Sequence, residues 1–328
     1  MSGMSFARLL LSRLRRPHRL HSVYERLLGT EVELQIVAGT SAQARHAEQA
    51  ALAELERLTG IFNRFDPTSE LRRWLAQPYV PTQLSPELVR VLQEADQWRR
   101  KTGGAFHPGA DAFGALWKQA ETQGHPPDPA ALTELAAQLQ AAPWTLDGHC
   151  ATLHAAYPLG LNALAKGYIV DRAAEVAFAL PGVQRVLVNA GGDLRTLELP
   201  GLRSSGLTVD VADPTTTRDD APAVAHVQIS NGALATSGNA HRGYQVGGRW
   251  FSHVLDPRSG QPIEAVQGVT VTAPTCLTAD ALATVLSVLP ISEGLACVDA
   301  TAGAAALIVT ADGTQHRSQR WGQKTSGA

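Results

Sequence analysis

Residues 278–289 of this 328-residue chain read TADALATVLSVL, with Asp280 and Thr284 four residues apart. On an α-helix that spacing brings their oxygens to one face, one turn apart. Leu282, Val285, Leu286 and Leu289 take the remaining, buried surface. A carboxylate and a hydroxyl so placed suit a hard cation such as magnesium, which takes few protein ligands and completes its shell with phosphate and water. A plain structural reading also stands: an Asp in a first turn complements the helix dipole, and Thr284 simply packs.

Three further segments carry groups of the same kind. Residues 160–171 read GLNALAKGYIVD. Here Lys166, near a helix start, is placed to neutralise a phosphate, and Gly167 lets a ligand or a second backbone come close. The alternative is that Lys166 and Asp171 are solvated surface charges. Residues 189–195 read NAGGDLR after an apolar strand, so Gly191 and Gly192 either offer backbone N–H groups to an anion or only turn the chain tightly. Residues 252–260 read SHVLDPRSG. His253 closes a strand, as a base, a ligand contact or an ordinary strand-end histidine, and Asp256-Pro257 opens a turn with Gly260 at positive φ.

The elements that must position these residues are legible from periodicity and punctuation. Residues 30–37 alternate as a half-buried strand, and residues 42–61 repeat as a helix. Ser85 and Pro86 start a second helix, which Gly103 and Gly104 stop. Asp128-Pro129 starts another after the loop at 124–129. Residues 144–153 predict a hairpin around Asp147-Gly148, residues 163–179 a helix, and residues 185–189 a strand. Hairpins are expected at Asn231-Gly232, Gly247-Gly248 and Asp312-Gly313, and Thr278 is expected to cap a helix that Pro290 ends. Strands joined mostly by hairpins, with helices between, predict an α+β fold with antiparallel sheet. No G-x-G-x-x-G follows a strand and no Walker A loop is present, which disfavours the commonest nucleotide folds.

Composition narrows the function classes. Hydrophobic residues at 44% and charged residues at 18% suit a soluble globular chain. A net charge of -2 and a pI near 6.6 give no electrostatic reason to expect nucleic acid or an anionic membrane as partner. No apolar run approaches the ~20 residues that span a bilayer. Cys150, Cys276 and Cys297 lack metal-ligand spacing and read as reduced thiols. The segment FARLLLSRLRRPHR at 6–19 lacks the apolar stretch and cleavage site of a secretory signal, so a cytoplasmic protein is expected. Residues 1–22 are expected to be a flexible basic extension, 23–318 the globular domain and 319–328 a disordered tail.

Taken together, the segments are not independent. GT at 29–30, FNRFDPTSEL at 62–71, TGGAFHP at 102–108, LAKGYIVD at 164–171, NAGGD at 189–193, ATSG at 235–238, HVLDPRSG at 253–260 and ADALAT at 279–284 resemble, in order, the signature blocks of the ApbE family. The resemblance implies a T-fold-like α+β architecture with antiparallel sheets, flanking helices and a flavin cleft between subdomains. It implies a magnesium-dependent transfer of FMN from FAD to a Ser or Thr hydroxyl of an acceptor flavoprotein, with release of AMP. An FAD pyrophosphatase and a non-catalytic FAD-binding protein are the alternatives. The implied metal ligands are Asp280, Thr284 and the Ala163 carbonyl. Flavin and nucleotide contacts fall on Leu28, Ala105, Phe106, His107, Lys166 and Leu255, with Gly191, Gly192 and Asp193 lining the site and His253 assisting the incoming hydroxyl. The chain departs from the pattern at His107 and Gly109, at Leu75, and at Gly160, which stands where the family commonly has an acid. On that pattern Gly160→Asp is expected to tighten FAD binding about tenfold.

Overall fold

The computed structural model describes residues 17–202, 206–216, 218, 221–238, 243–323 and 325–326. The chain opens with β1 (His18–Leu27), β2 (Thr30–Ala38), α1 (Ser41–Phe62), α2 (Glu70–Leu75), β3 (Thr82–Gln83), α3 (Pro86–Lys101), α4 (Asp111–Gln123) and α5 (Pro129–Leu139). It continues through β4 (Trp144–Asp147), β5 (Cys150–Leu153), α6 (Asn162–Phe178), β6 (Val183–Ala190), β7 (Asp193–Glu198), β8 (Leu207–Val211), β9 (Ala225–Ser230) and β10 (Ala233–Gly238). It closes with β11 (Gly243–Val246), β12 (Arg249–Ser252), β13 (Val266–Ala273), α7 (Cys276–Leu286), α8 (Ile291–Asp299), β14 (Ala305–Thr310), β15 (Gln315–Arg317) and β16 (Thr325–Ser326).

Eight strands form one antiparallel sheet in the order β1-β2-β6-β7-β10-β13-β14-β15. Strand alternation assigns its two faces. Val186, Val188, Ala233, Ala235, Ala306 and Ile308 point into the core shared with α1, α6 and α7. Their neighbours Leu187, Leu194, Leu234, Leu307 and Val309 point the other way, against Val211, Val227 and Ile229 of the small β8-β9-β16 sheet. The result is three layers: helices, a large sheet and a small sheet. This is the expected α+β class with antiparallel sheets.

Local chemistry explains the element ends. The Ser85 hydroxyl accepts from the Leu88 N–H, Pro86 opens α3, and Arg99, Arg100 and Lys101 meet the negative end of its dipole. Gly103 and Gly104 then turn the chain at φ 56° and 85°. Gly247 and Gly248, at φ 57° and 81°, close the β11–β12 hairpin.

Three expectations are corrected. The strands flanking Asn231-Gly232 do not pair: β9 joins β8 and β16, whereas β10 joins β7 and β13. Asn231 sits at φ 49° and its Oδ1 accepts from the Glu198 N–H, so the turn hands the chain from one sheet to the other. α7 is capped by Thr275, whose hydroxyl accepts from the Thr278 N–H, and it ends at Leu286; Pro290 instead precedes α8. At the termini, β1 begins at His18 inside the expected extension, and β16 lies in the expected tail, paired in parallel with β9. Residues 1–16 lie outside the described residues.

Candidate functional site

α6 and α7 cross in close contact because Gly167 has no side chain. A Cβ there would lie 2.6 Å from the Cys276 carbonyl oxygen and 2.8 Å from the Leu277 Cα. Those are backbone atoms that cannot step aside. One turn further along α6, Asp171 faces the same place. Its Oδ1 accepts from the Cys276 N–H at 2.8 Å and its Oδ2 from the Leu277 N–H at 2.9 Å. Two of the N–H groups that a helix start leaves unpaired are thereby bonded.

The third element is β7. Alternation turns Leu194 toward the small sheet and leaves Asp193 and Arg195 on the helix side. Arg195 Nε lies 3.4 Å from Asp171 Oδ1, and its Nη1 donates to the Pro274 carbonyl just before α7. Lys166 Nζ reaches within 2.7 Å of Asp193 Oδ2, a strong charge contact set off the direction of a well-formed hydrogen bond.

Asp280 completes the cluster, one turn into α7. Its Oδ2 is shielded from solvent and has no hydrogen-bond partner among the described residues. Burial pushes the Asp280 carboxyl well above the usual carboxylate range, and the Asp193 charge adds to this against the pull of Lys166. Burial likewise raises Asp193, opposed by Lys166. Burial draws the Lys166 ammonium down, but Asp193 and Asp280 outweigh it and hold the group above its ordinary value. Burial lifts Asp171 to about 6, against the Leu277 and Cys276 N–H groups and Arg195.

Two buried carboxylates sharing one ammonium, with an unpartnered oxygen, form a site that favours an added cation. Among the described residues no group of three His, Cys, Asp or Glu side chains could hold a metal. The unpartnered Asp280 Oδ2 is a hard oxygen donor that fits magnesium, which takes few protein ligands and completes its shell with phosphate and water. Thr284 stands one turn beyond Asp280 on α7, and Ala163 lies in the first turn of α6.

The remaining expected residues stand at turns, in the cores and at a strand end. Gly191 and Gly192, at φ 59° and 92°, are the β6–β7 turn. Their N–H groups already bond the Glu31 carbonyl and Asn189 Oδ1, so the tight-turn reading holds there and the anion cradle does not. Leu28, at φ 55°, turns β1 into β2. Ala105 and Phe106 are buried in the main core, and Leu255 packs with Phe113 and Trp117 in a satellite core. His253 follows β12, on a different element from the three carboxylates. His107 is buried. Its Nδ1 accepts from the Gly109 N–H at 2.9 Å, which puts the ring proton on Nε2. Burial, with the Arg99 charge, holds its pKa down at about 4, against the Leu139 carbonyl.

A cleft of about 210 Å³ opens beside His107, between Arg99, Arg100, Gly104, Leu139 and Arg258. Arg99 and Arg100 are paired with Asp96, and Arg258 with Asp256. Lys166, Asp193 and Asp280 do not line it. Gly160 differs from expectation. A Cβ there would lie 2.9 Å from Asp111 Oδ2 and 3.4 Å from Arg64 Nη1, which form an ion pair. A carboxylate from α4 already occupies the space of a side chain at 160.

Sequence reasoning missed Asp171 and Arg195. The signal was present: Asp171 stands one helical turn after Gly167 between core residues Val170 and Ala174, and Arg195 shares the strand face of Asp193.

The structure combines a three-layer α+β fold with a buried Lys–carboxylate cluster where α6, α7 and β7 meet. The chain's own sequence matches the model of the ApbE family over residues 28–308. It is 30% identical to an FAD:protein FMN transferase of Haemophilus influenzae, over 84% of this chain and 81% of that protein. The structure superimposes on the ApbE protein of Thermotoga maritima with a TM-score of 0.78 at 26% identity, covering 93% of this chain and 98% of that one. The apo flavinyl transferase ApbE of Pseudomonas stutzeri shares the fold, with a TM-score of 0.76 at 24% identity over 96% and 99% of the two chains. This chain belongs to the ApbE family.

Proposed function

We propose that this chain is a magnesium-dependent FAD:protein FMN transferase. The observation that carries the reading is the buried, unpartnered Asp280 oxygen beside the Lys166–Asp193 pair, in a chain related to proteins named for that activity.

In this reading the acceptor's Ser or Thr oxygen bonds to the FMN-side phosphorus of FAD. The bond from that phosphorus to the bridging oxygen breaks, and AMP leaves with the bridging oxygen. The hydroxyl proton passes to a base, for which His253 is the candidate. Asp280, Thr284 and the Ala163 carbonyl would hold magnesium. When bound, the ion neutralises the pyrophosphate and polarises its phosphoryl oxygens.

The chain's own groups do the positioning. Lys166 keeps a partly open ammonium beside Asp193, placed to meet a phosphate oxygen. Leu28, Ala105, Phe106, His107 and Leu255 bound the flavin and nucleotide; Gly191 and Gly192 fix Asp193 at the start of β7. Among the described residues no helix is long and apolar enough to cross a membrane. The free cysteines suit a reducing compartment such as the cytosol, where the acceptor domain would then be exposed.

The test incubates the purified chain with FAD and magnesium, with and without a candidate acceptor domain, and follows AMP and covalent flavin. Transfer predicts AMP in step with attached flavin, because a site that excludes water favours the positioned hydroxyl. AMP and free FMN without acceptor would make the chain a pyrophosphatase. FAD left intact for hours would make it a binding protein.

A further inference from the structure

We infer that Asp171 is a positioning residue for the cation site. By binding the first two N–H groups of α7 it locks that helix against α6, and so fixes Asp280 and Thr284 opposite Ala163 and Lys166. The inference rests on the function proposed above for the identity of the site.

Gly167 and Asp171 lie on one strip of α6, one turn apart, and both meet Cys276 and Leu277. Gly167 permits the approach and Asp171 holds it. Thr275 takes the next N–H, that of Thr278. Arg195 ties β7 to the same point through Asp171 and the Pro274 carbonyl. The start of α7 is thus anchored to both elements that carry Lys166 and Asp193.

Asp280 follows Cys276 by four residues, so it moves with the helix start that Asp171 holds. Its Oδ2 has no hydrogen bond of its own to locate it. A small displacement of α7 therefore passes directly to the metal ligands. Magnesium-type coordination tolerates such displacement poorly, and partners one shell out from a metal ligand commonly govern affinity about 10–100-fold.

The test reads metal binding rather than turnover. Mn2+ is titrated into the full-length chain with FAD and no acceptor, and free Mn2+ is followed by EPR. Asp171→Ala is expected to raise the Mn2+ Kd at least tenfold while leaving metal-free FAD affinity within twofold. Asp171→Asn, which keeps one acceptor oxygen, is expected to fall between wild type and Asp171→Ala. A purely structural cap would lower Tm alone, so a Kd within twofold of wild type overturns the inference. Should Asp171→Ala fail to fold, the Asp171→Asn Kd decides by the same criterion. Wild type that binds no Mn2+ also overturns it. Wild type that binds Mn2+ but never yields covalent flavin would instead overturn the proposed function and leave the role of Asp171 standing.

Discussion

Lys166 and Asp193 form an ion pair at 2.7 Å in which the two partners are unequally placed: the Asp193 side chain is 2% exposed and that of Lys166 35%. The carboxylate is sealed on the helix side of β7, while part of the lysine side chain stays open to solvent. A cation held from behind and free in front is suited to meet an incoming phosphate.

Lys166→Met is therefore expected to weaken FAD binding about tenfold, the ~1.4 kcal/mol of one charge-assisted contact. It should also lower Tm, because Asp193 is left buried without its counter-charge. Flavin fluorescence titration and thermal melts check both. FAD affinity unchanged in Lys166→Met would remove the lysine from the substrate site.

Gly167→Ala should be far more damaging than one methyl suggests. Its Cβ meets backbone of α7 at 2.6 Å, so α6 and α7 must separate, at a cost of about 1–3 kcal/mol. Denaturant melts measure this, and the Mn2+ titration should show weakened binding alongside. A wild-type melt would mean the helices part freely.

Much of this was legible in the sequence. Where local chemistry decides, as at Ser85-Pro86 of α3 or Gly247-Gly248, residue types alone give the element. Asp280 and Lys166 were marked by helical spacing and the company they keep. Pairing between distant segments was not legible. Asn231-Gly232 has hairpin chemistry, yet β9 and β10 find better partners in β8 and β13, and the turn becomes a crossing between sheets. Asp171 looks like a surface acid until α7 arrives to donate to it.

Gly160→Asp now carries the opposite expectation. The new carboxylate would crowd Asp111 at the Arg64 guanidinium, and two like charges some 4 Å apart repel by about 1 kcal/mol in bulk water and about 4 kcal/mol near a protein surface. FAD binding should stay level or weaken and Tm should fall, with Asp111→Asn restoring Tm in the same background. A tenfold gain in FAD affinity would show that the pocket has room for both acids.

His107 should leave a signature in acid stability. Its folded pKa of about 4 lies below the ordinary 6.5, so between those values the unfolded chain binds more protons. The neutral ring's contribution is complete above about pH 6.5 and is lost as pH falls toward 4, up to about 3 kcal/mol. Asp171, raised to about 6, acts with the opposite sign over part of that window, but it is common to wild type and His107→Gln. Urea midpoints of the two proteins should therefore converge from pH 7 to pH 4. Parallel curves would contradict a buried neutral imidazole.

The most direct test of the account compares AMP release by wild type and Asp280→Ala, with acceptor domain, FAD and saturating magnesium. Asp280 is the buried carboxylate whose Oδ2 has no hydrogen-bond partner among the described residues. Its loss is expected to reduce turnover at least about a thousandfold, the ~4 kcal/mol of a lost charged ligand at a phosphoryl-transfer site. Tm should hold or rise, since a buried carboxyl oxygen without a hydrogen bond is removed. Turnover within about threefold of wild type, in a folded Asp280→Ala protein, would contradict the account.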